Sequence, residues 1–175
     1  MKKIILLILL FAFFLLPSCK KNVAAPEPAR EGPGTISVII DGKTCSFNYN
    51  TDLNTTAEAR LGTRYPNLYE LVIFGQKTTG WLQDGISITI VSPDPIVPGT
   101  YSYNSASNIT NEILYCPGAI PIMPCHVSSS TGIVTITEMT PNYVKGIFSA
   151  TLSYIDNSGV ARTNVLTNGK FNALF

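Results

Sequence analysis

Short runs of β-branched and aromatic residues recur between turn-forming residues, and no segment after residue 18 shows sustained helical periodicity. The run 85–91, GISITIV, is typical, because its isoleucines alternate with serine and threonine as on a strand with one buried and one solvated face. The run 143–155, YVKGIFSATLSYI, alternates similarly and is long enough to cross a whole sheet. The pattern predicts an all-β chain.

About nine short strands are expected, which favours an antiparallel β-sandwich, with a small closed β-barrel as the alternative. Asp41-Gly42 predicts a tight hairpin turn between TISVII and TCSFNY, because this dipeptide accepts positive φ angles. Asn168-Gly169 predicts a further turn before KFNALF. The segment 50–66 is open between a loop and a short helix, since TTAEARLG offers a threonine cap and a glycine stop.

The N-terminal pattern indicates an export signal. Lys2 and Lys3 precede an apolar run, 4–16, that is shorter than the roughly 20 residues a membrane-spanning helix needs. This arrangement is typical of a secretory signal peptide. Leu16-Pro17-Ser18-Cys19 then resembles the lipobox of bacterial lipoproteins, in which the cysteine is acylated. An ordinary signal peptide followed by a chance cysteine is the alternative.

Three parts are therefore expected along the chain. Residues 1–18 form a lipoprotein signal peptide, and 19–34 hold the lipidated Cys19 and a flexible tether rich in proline and glycine. Residues 35–175 form a single β-sandwich domain. Several acyl chains, at about 0.8 kcal/mol per buried methylene, would anchor Cys19 in a lipid bilayer.

Charge argues against nucleic acid as a partner. The chain has 12 basic and 11 acidic residues, and removal of Lys2 and Lys3 leaves 10 against 11. This balance implies no basic face of the kind that nucleic-acid-binding proteins carry.

The cysteines predict one disulfide in an oxidising compartment. Cys116 and Cys125 bracket PGAIPIMP, a loop short enough for closure to contribute about 2–3 kcal/mol. Cys45 alternates with Phe47 in TCSFNY and is expected to be a free, small, buried hydrophobic residue. A zinc site built on these cysteines and His126, the only histidine, lacks the usual four ligands, so we expect no metal and no cofactor.

The sequence contains no recognised catalytic set. It lacks G-x-S-x-G, H-E-x-x-H, a Walker loop and Cys-x-x-Cys. Cys125 and His126 are adjacent, so on a strand they would point to opposite faces. We therefore expect a non-enzymatic protein; the alternative is a hydrolase or processing enzyme of envelope polymers or glycans that uses carboxylates not paired in sequence.

Two sets of residues are candidates for ligand or partner contact. Apolar residues on the stiff 117–124 loop could bind a protein or fold back as a lid, and aromatic rings could stack on a glycan or simply pack in the core. The candidates are Ile120, Ile122 and Met123 in the loop, and Trp81, Tyr101 and Tyr103 among the aromatics.

Several segments are similar to those of small uncharacterised Bacteroidota-type lipoproteins: SCKK, IDGKTCSF, IVPGTYSY, GIVTITEM, VKGIFSATL and TNGKFNALF. The resemblance implies a β-sandwich-like domain lipid-anchored at the outer membrane, and no established activity accompanies it. Surface-exported members often carry acidic residues directly after the acylated cysteine. Here Lys20-Lys21-Asn22-Val23 follow, and the first acid is Glu27, which favours the periplasmic face over the cell surface.

Overall fold

The computed structural model describes residues 34–48, 57–65, 67–77, 84–103, 111–117, 126–128, 131–156 and 158–175. These residues form eleven strands and no helix. The strands are β1 Thr35–Ile40, β2 Lys43–Ser46, β3 Glu58–Tyr65, β4 Leu68–Gln76, β5 Gly85–Ser92, β6 Gly99–Ser102, β7 Glu112–Cys116, β8 His126–Ser128, β9 Ile133–Met139, β10 Tyr143–Ile155 and β11 Ala161–Leu174.

The strands form one continuous sheet that folds over into two facing layers. Its order is β2-β1-β11-β3-β4-β5-β7-β8-β10-β9-β6, and β10 also pairs with β11. One layer is β2-β1-β11-β10-β9-β6, and the other is β3-β4-β5-β7-β8. All pairs are antiparallel except β3 with β11, which share one parallel bridge between Glu58 and Leu174. The strands β2 and β6 end the order without pairing with each other. The sheet is mixed and is not closed, and the predicted all-β sandwich is confirmed.

The two layers bury one hydrophobic cluster between them. The predicted alternation in β5 is confirmed, because Ile86, Ile88 and Ile90 are all fully buried. Complete burial of one such side chain contributes about 1.5–3 kcal/mol. Across the interior, the Phe47 ring meets the Tyr115 ring edge-on, with 6.1 Å between the ring centroids.

The long hairpin of β10 and β11 joins the layers. Residues 144–149 of β10 pair with β9, whereas Leu152 and Ser153 pair with β8 of the other layer. Along its other edge, β10 pairs with β11 from Tyr143 to Ile155. A strand shared between two layers fixes their relative position, because bending it would break pairs on both edges.

Two glycines and two phenylalanines interlock on the buried face of this hairpin. Gly146 pairs with Phe171, and Phe148 pairs with Gly169. Each phenylalanine ring occupies the space that a side chain on its paired glycine would need. The two rings also contact each other, with centroids 6.4 Å apart. In this cluster the glycines allow the aromatic rings to pack directly against the backbone of the paired strand, and the two rings pack against each other.

The predicted turn at Asn168-Gly169 is wrong, because β11 runs through it from Ala161 to Leu174. Asn168 has φ of 52° and lies in a β-bulge opposite both β10 and β1. Asparagine tolerates this left-handed conformation in a bulge as well as in a turn, and long strand partners on both sides favour the bulge. The extra residue allows both Leu166 and Gly169 to face the core.

The predicted turn at Asp41-Gly42 is confirmed. The two residues have φ of 48° and 80° and connect β1 to β2. The Asp41 carboxylate also accepts hydrogen bonds from the Val165 N–H at 2.8 Å and from the Asn164 side-chain amide. The turn is thus bonded to β11 as well as to its own strands.

The segment 50–66, left open between helix and loop, contains a strand. Residues 58–65 form β3, which pairs with β4 from Glu58 to Tyr65, and Ala57 and Ala59 enter the core. Helix propensity is a weak preference that tertiary pairing overrides. Residues 50–56 lie outside the described part of the chain.

Substitution of Gly146 by alanine should destabilise the fold by about 3 kcal/mol. The new Cβ would lie 2.2 Å from the Thr135 carbonyl oxygen and 2.3 Å from the Phe171 ring, so backbone and ring would both have to move. Chemical denaturation measures the loss.

Gly62→Ala is the matched control, because nothing lies within 4 Å of the new Cβ on this exposed strand position. It should be neutral or stabilise by about 0.5 kcal/mol. Equal stability changes in the two variants would contradict the packing argument.

Candidate functional site

A shallow groove crosses the outer face of β1, β11, β10 and β9, on the side of the hairpin away from the core. It consists of two adjoining depressions of about 350 and 580 Å³ that share Ile147 and Lys170. Its lining is rich in hydroxyl, amide and ammonium groups: Thr35, Ser37, Thr137, Lys145, Asn172, Thr135, Ser149, Asn168 and Lys170, with Ile133 and Ile147. We call this surface the outer groove.

The strand register arranges the groove in ordered rows. Asn172 pairs with both Thr35 and Lys145, so these three form one row across β1, β11 and β10. Lys170 pairs in the same way with Ser37 and Ile147 in the next row. Ser37 is only 6% exposed although it faces away from the core, so it forms part of the groove floor.

Positive charge distinguishes this groove chemically. Lys145 and Lys170 are diagonal neighbours across β10 and β11, a relation that places Cβ atoms roughly 7–8 Å apart. Of the described residues that line the groove, none is a carboxylate. Exposed Ile147 and Ile133, 51% and 48% exposed, provide apolar contact area beside the charges.

A small ionic cluster holds Lys145 at the rim. Its ammonium lies 3.1 Å from Glu138 Oε2 and 4.5 Å from the centroid of the Tyr143 ring. The Tyr143 hydroxyl donates to Glu138 Oε1. These hydrogen bonds, first from Tyr143 and then from Lys145, lower the pKa of the Glu138 carboxyl, and the Glu138 carboxylate raises the pKa of Lys145.

Two of the predicted contact residues pack with the core. The Tyr101 hydroxyl donates to the Val97 carbonyl at 2.7 Å and accepts from the Val97 N–H at 3.0 Å. Tyr103 is only 6% exposed, and burial raises the pKa of its phenol. Tyr103 belongs to the buried core, and Tyr101 is partly buried against it.

The other predicted contact residues, Trp81, Ile120, Ile122 and Met123, lie outside the described residues, as does Cys19. The strands on either side of 78–83 do pair as a hairpin, β4 with β5. Lys77 and Asp84 close the base of this hairpin. The Lys77 N–H donates to the Asp84 carbonyl at 2.9 Å, and their side chains form an ion pair at 2.6 Å.

The structure describes two of the cysteines, Cys45 and Cys116. Cys45 is free and partly buried against the core. Cys116 is disulfide-bonded. Cys125 lies outside the described residues, so its pairing with Cys116 stays a prediction. The strands that carry them, β7 and β8, pair through Leu114 with Val127 and Tyr115 with His126.

Five of the described carboxylates form ion pairs with nearby cations. The pairs are Glu58–Arg60, Glu70–Arg64, Asp84–Lys77, Glu138–Lys145 and Asp156–Arg162. In the described part of the chain, no group of three or more His, Cys, Asp or Glu side chains could hold a metal ion. Within that part, no helix is long and apolar enough to cross a membrane.

Sequence reasoning missed the outer groove. The polar residues that alternate along VKGIFSATL indicate which side chains of this strand face outward. The residues of β1 and β11 that lie beside them depend on the strand register, which the sequence does not give. The bulge at Asn168 also changes which residues of KFNALF face outward.

Comparisons with protein-family models, curated proteins and solved structures found no match for this chain.

Replacement of Tyr143 by phenylalanine should raise the pKa of Glu138 towards its ordinary value, because the strongest hydrogen bond to the carboxylate is lost. Since folding lowers this pKa, the cluster contributes stability above the unfolded value of about 4.3 and loses it as pH falls through the folded value. The variant should therefore lose this contribution at a higher pH. NMR titration of the side-chain carboxyls measures the shift.

Asp156 is the internal control in the same titration. Its pKa is lowered by hydrogen bonds from the Val160 N–H and Arg162, at the opposite end of β10. An unchanged Glu138 pKa in the variant, or an equal change at Asp156, would contradict the local origin of the shift.

Proposed function

We propose that the chain is a lipid-tethered, exported binding module, and that the outer groove is its ligand-binding surface. The observation that supports this most is the pair of diagonal lysines, Lys145 and Lys170, in a groove of hydroxyl and amide groups. The nearest described carboxylate, Glu138, lies outside the lining and is ion-paired with Lys145. No catalytic pair is needed for this role. The carboxylates in the described ion pairs are held by cations no more than seven residues away along the chain.

The chemistry of the groove favours an acidic glycan of the cell envelope. Ammonium groups attract carboxylate or phosphate, and Thr, Ser and Asn side chains can exchange hydrogen bonds with sugar hydroxyls. The exposed isoleucines offer contact to the apolar faces of a sugar chain. A groove that is open along several rows of a sheet suits a polymer better than a small buried ligand.

The sequence supports the proposed anchoring. Acylation of Cys19 would hold the domain at the outer membrane, with the periplasmic face favoured because lysines follow the cysteine. A tether of about fifteen residues would then allow the groove to reach polymers near the membrane surface.

Lys170→Glu should weaken binding to alginate, a polyuronate used as the probe, by about tenfold or more. The substitution replaces an attraction in the groove by a repulsion, and tenfold in affinity corresponds to about 1.4 kcal/mol. Affinity measured against alginate and against neutral dextran, at two salt concentrations, tests this.

Lys43→Glu makes the same charge change at an exposed position on β2, outside the groove. It should leave alginate binding within about twofold of the original value. Equal losses in both variants would show that net charge alone governs binding. Absence of alginate binding by the unaltered protein would sink the acidic-glycan proposal.

Cys19→Ala should abolish labelling by radioactive palmitate and release the protein from the membrane fraction, because no acyl chain could be attached. Cys45→Ala is the control and should retain both label and membrane association. Protease added to intact cells, with a periplasmic marker as reference, then distinguishes the two faces of the membrane. Palmitate labelling of the Cys19→Ala protein would contradict the proposed anchor.

A further inference from the structure

Two asparagine side chains on the outer face have an amide oxygen that is buried without a hydrogen-bond donor. They are Asn172, which lines the outer groove, and Asn48, which follows β2. Both residues are only partly buried as a whole, so a ligand can reach their side chains. Among the described residues, no group donates to either oxygen. Because nearly all buried polar atoms in proteins have a partner, two exceptions on one surface call for an explanation.

Asn172 lies in the middle of a row of side chains that crosses the groove. It pairs with Thr35 on one side and with Lys145 on the other. The Lys145 ammonium lies 3.1 Å from Glu138 Oε2, on the side of β9 and away from Asn172. The Asn172 backbone carbonyl accepts from the Gly34 N–H at 2.6 Å, so the missing donor concerns the side chain alone.

Asn48 extends the same row across β1. The Phe47 N–H donates to the Ile36 carbonyl at 2.7 Å, which continues the pairing of β2 with β1 and places the next residue, Asn48, beside Thr35. Phe47 is fully buried, so its neighbour Asn48 points to the outer face. We call the four residues of this row the amide row: Asn48, Thr35, Asn172 and Lys145.

We propose that the amide row is a hydroxyl-binding subsite of the outer groove, and that its ligand is a polyuronate that crosses the strands from Asn48 to Lys145. This inference rests on the proposed function. Sugar hydroxyls donate to the amide oxygens of Asn48 and Asn172, while Lys145 and Lys170 bind the carboxylates. Neighbouring strands are about 4.8 Å apart, so the row is about 14 Å long and suits a segment of a polymer.

A small rotation brings each amide oxygen to the ligand. The terminal torsion of an asparagine side chain has a broad range, so the carboxamide can turn about its Cβ–Cγ bond without leaving its rotamer. The buried oxygen, which has no donor to lose, then gains one from the ligand.

The two kinds of contact distinguish a glycan from a simple polyanion. Lysine ammonium groups attract any carboxylate or phosphate. An acceptor beside them favours a ligand that carries a donor next to its acidic group. A uronate has such hydroxyls, and polyacrylate has carboxylates alone. A ligand without the donor leaves the amide oxygens unpaired and gains no affinity from them.

Asn172→Leu tests the subsite, because leucine keeps the branched shape and removes the amide. In the full chain, purified in mild detergent, this variant should bind alginate about tenfold more weakly. Its affinity for polyacrylate should stay within about twofold, since both lysines remain. Its unfolding temperature should rise by about 2–4 °C, because an unpaired buried acceptor is gone. An amide with a purely structural role would instead lower the unfolding temperature.

Two further leucine variants complete the comparison. Asn48→Leu should change all three measurements in the same directions, since it lies at the other end of the amide row. Asn142→Leu is the matched control, on an exposed residue between β9 and β10 that does not line the groove. It should leave both affinities and the unfolding temperature unchanged.

Three results would overturn the amide row and leave the lysine groove in place. They are unchanged alginate binding in both row variants, equal losses of alginate and polyacrylate binding, and a lower unfolding temperature of Asn172→Leu, which would reveal a donor to its oxygen in the free protein. If the unaltered protein binds no alginate, the proposed function fails and this inference fails with it.

Discussion

The packing of two phenylalanines onto two glycines in the β10–β11 hairpin is the constraint on which the rest of the structure depends. Phe171 lies over Gly146, and Phe148 lies over Gly169, so the two strands are held in one register by interlocking shapes as well as by backbone hydrogen bonds. Because β10 pairs with β9 in one layer and β8 in the other, that register positions both layers.

The same hairpin connects the core to the outer groove. The residues that alternate with the interlocked cluster are Lys145, Ile147 and Lys170, which point to the opposite face. Packing inside therefore fixes the spacing of the ammonium groups outside, and a rigid sheet reduces the entropy that a bound polymer would have to remove. Stability and proposed recognition rest on the two sides of one pair of strands.

Much of the fold could be predicted from local pattern, but the groove could not. Alternation in GISITIV and the Asp41-Gly42 turn are local signals, and the structure contains both as expected. The strand in TTAEARLG and the bulge at Asn168 depend on long-range partners, β4 in one case and both β1 and β10 in the other. To predict a groove that is made by four strands, one would need to know the register of every one of those strands.

The bulge at Asn168 has a consequence for how this chain can change in evolution. Residues before and after the bulge can be substituted one at a time, because each new side chain still points to the same face of the sheet. Loss of one residue here would leave Leu166 and Gly169 two positions apart, so both would still face the core. Loss of one residue elsewhere in β11 would instead turn the side chains on one side of the deletion to the opposite face, because side chains alternate with a period of two. Single-residue deletions in β11 should therefore be confined to the bulge in descendants that keep the fold, and other insertions and deletions should collect in the connections between strands.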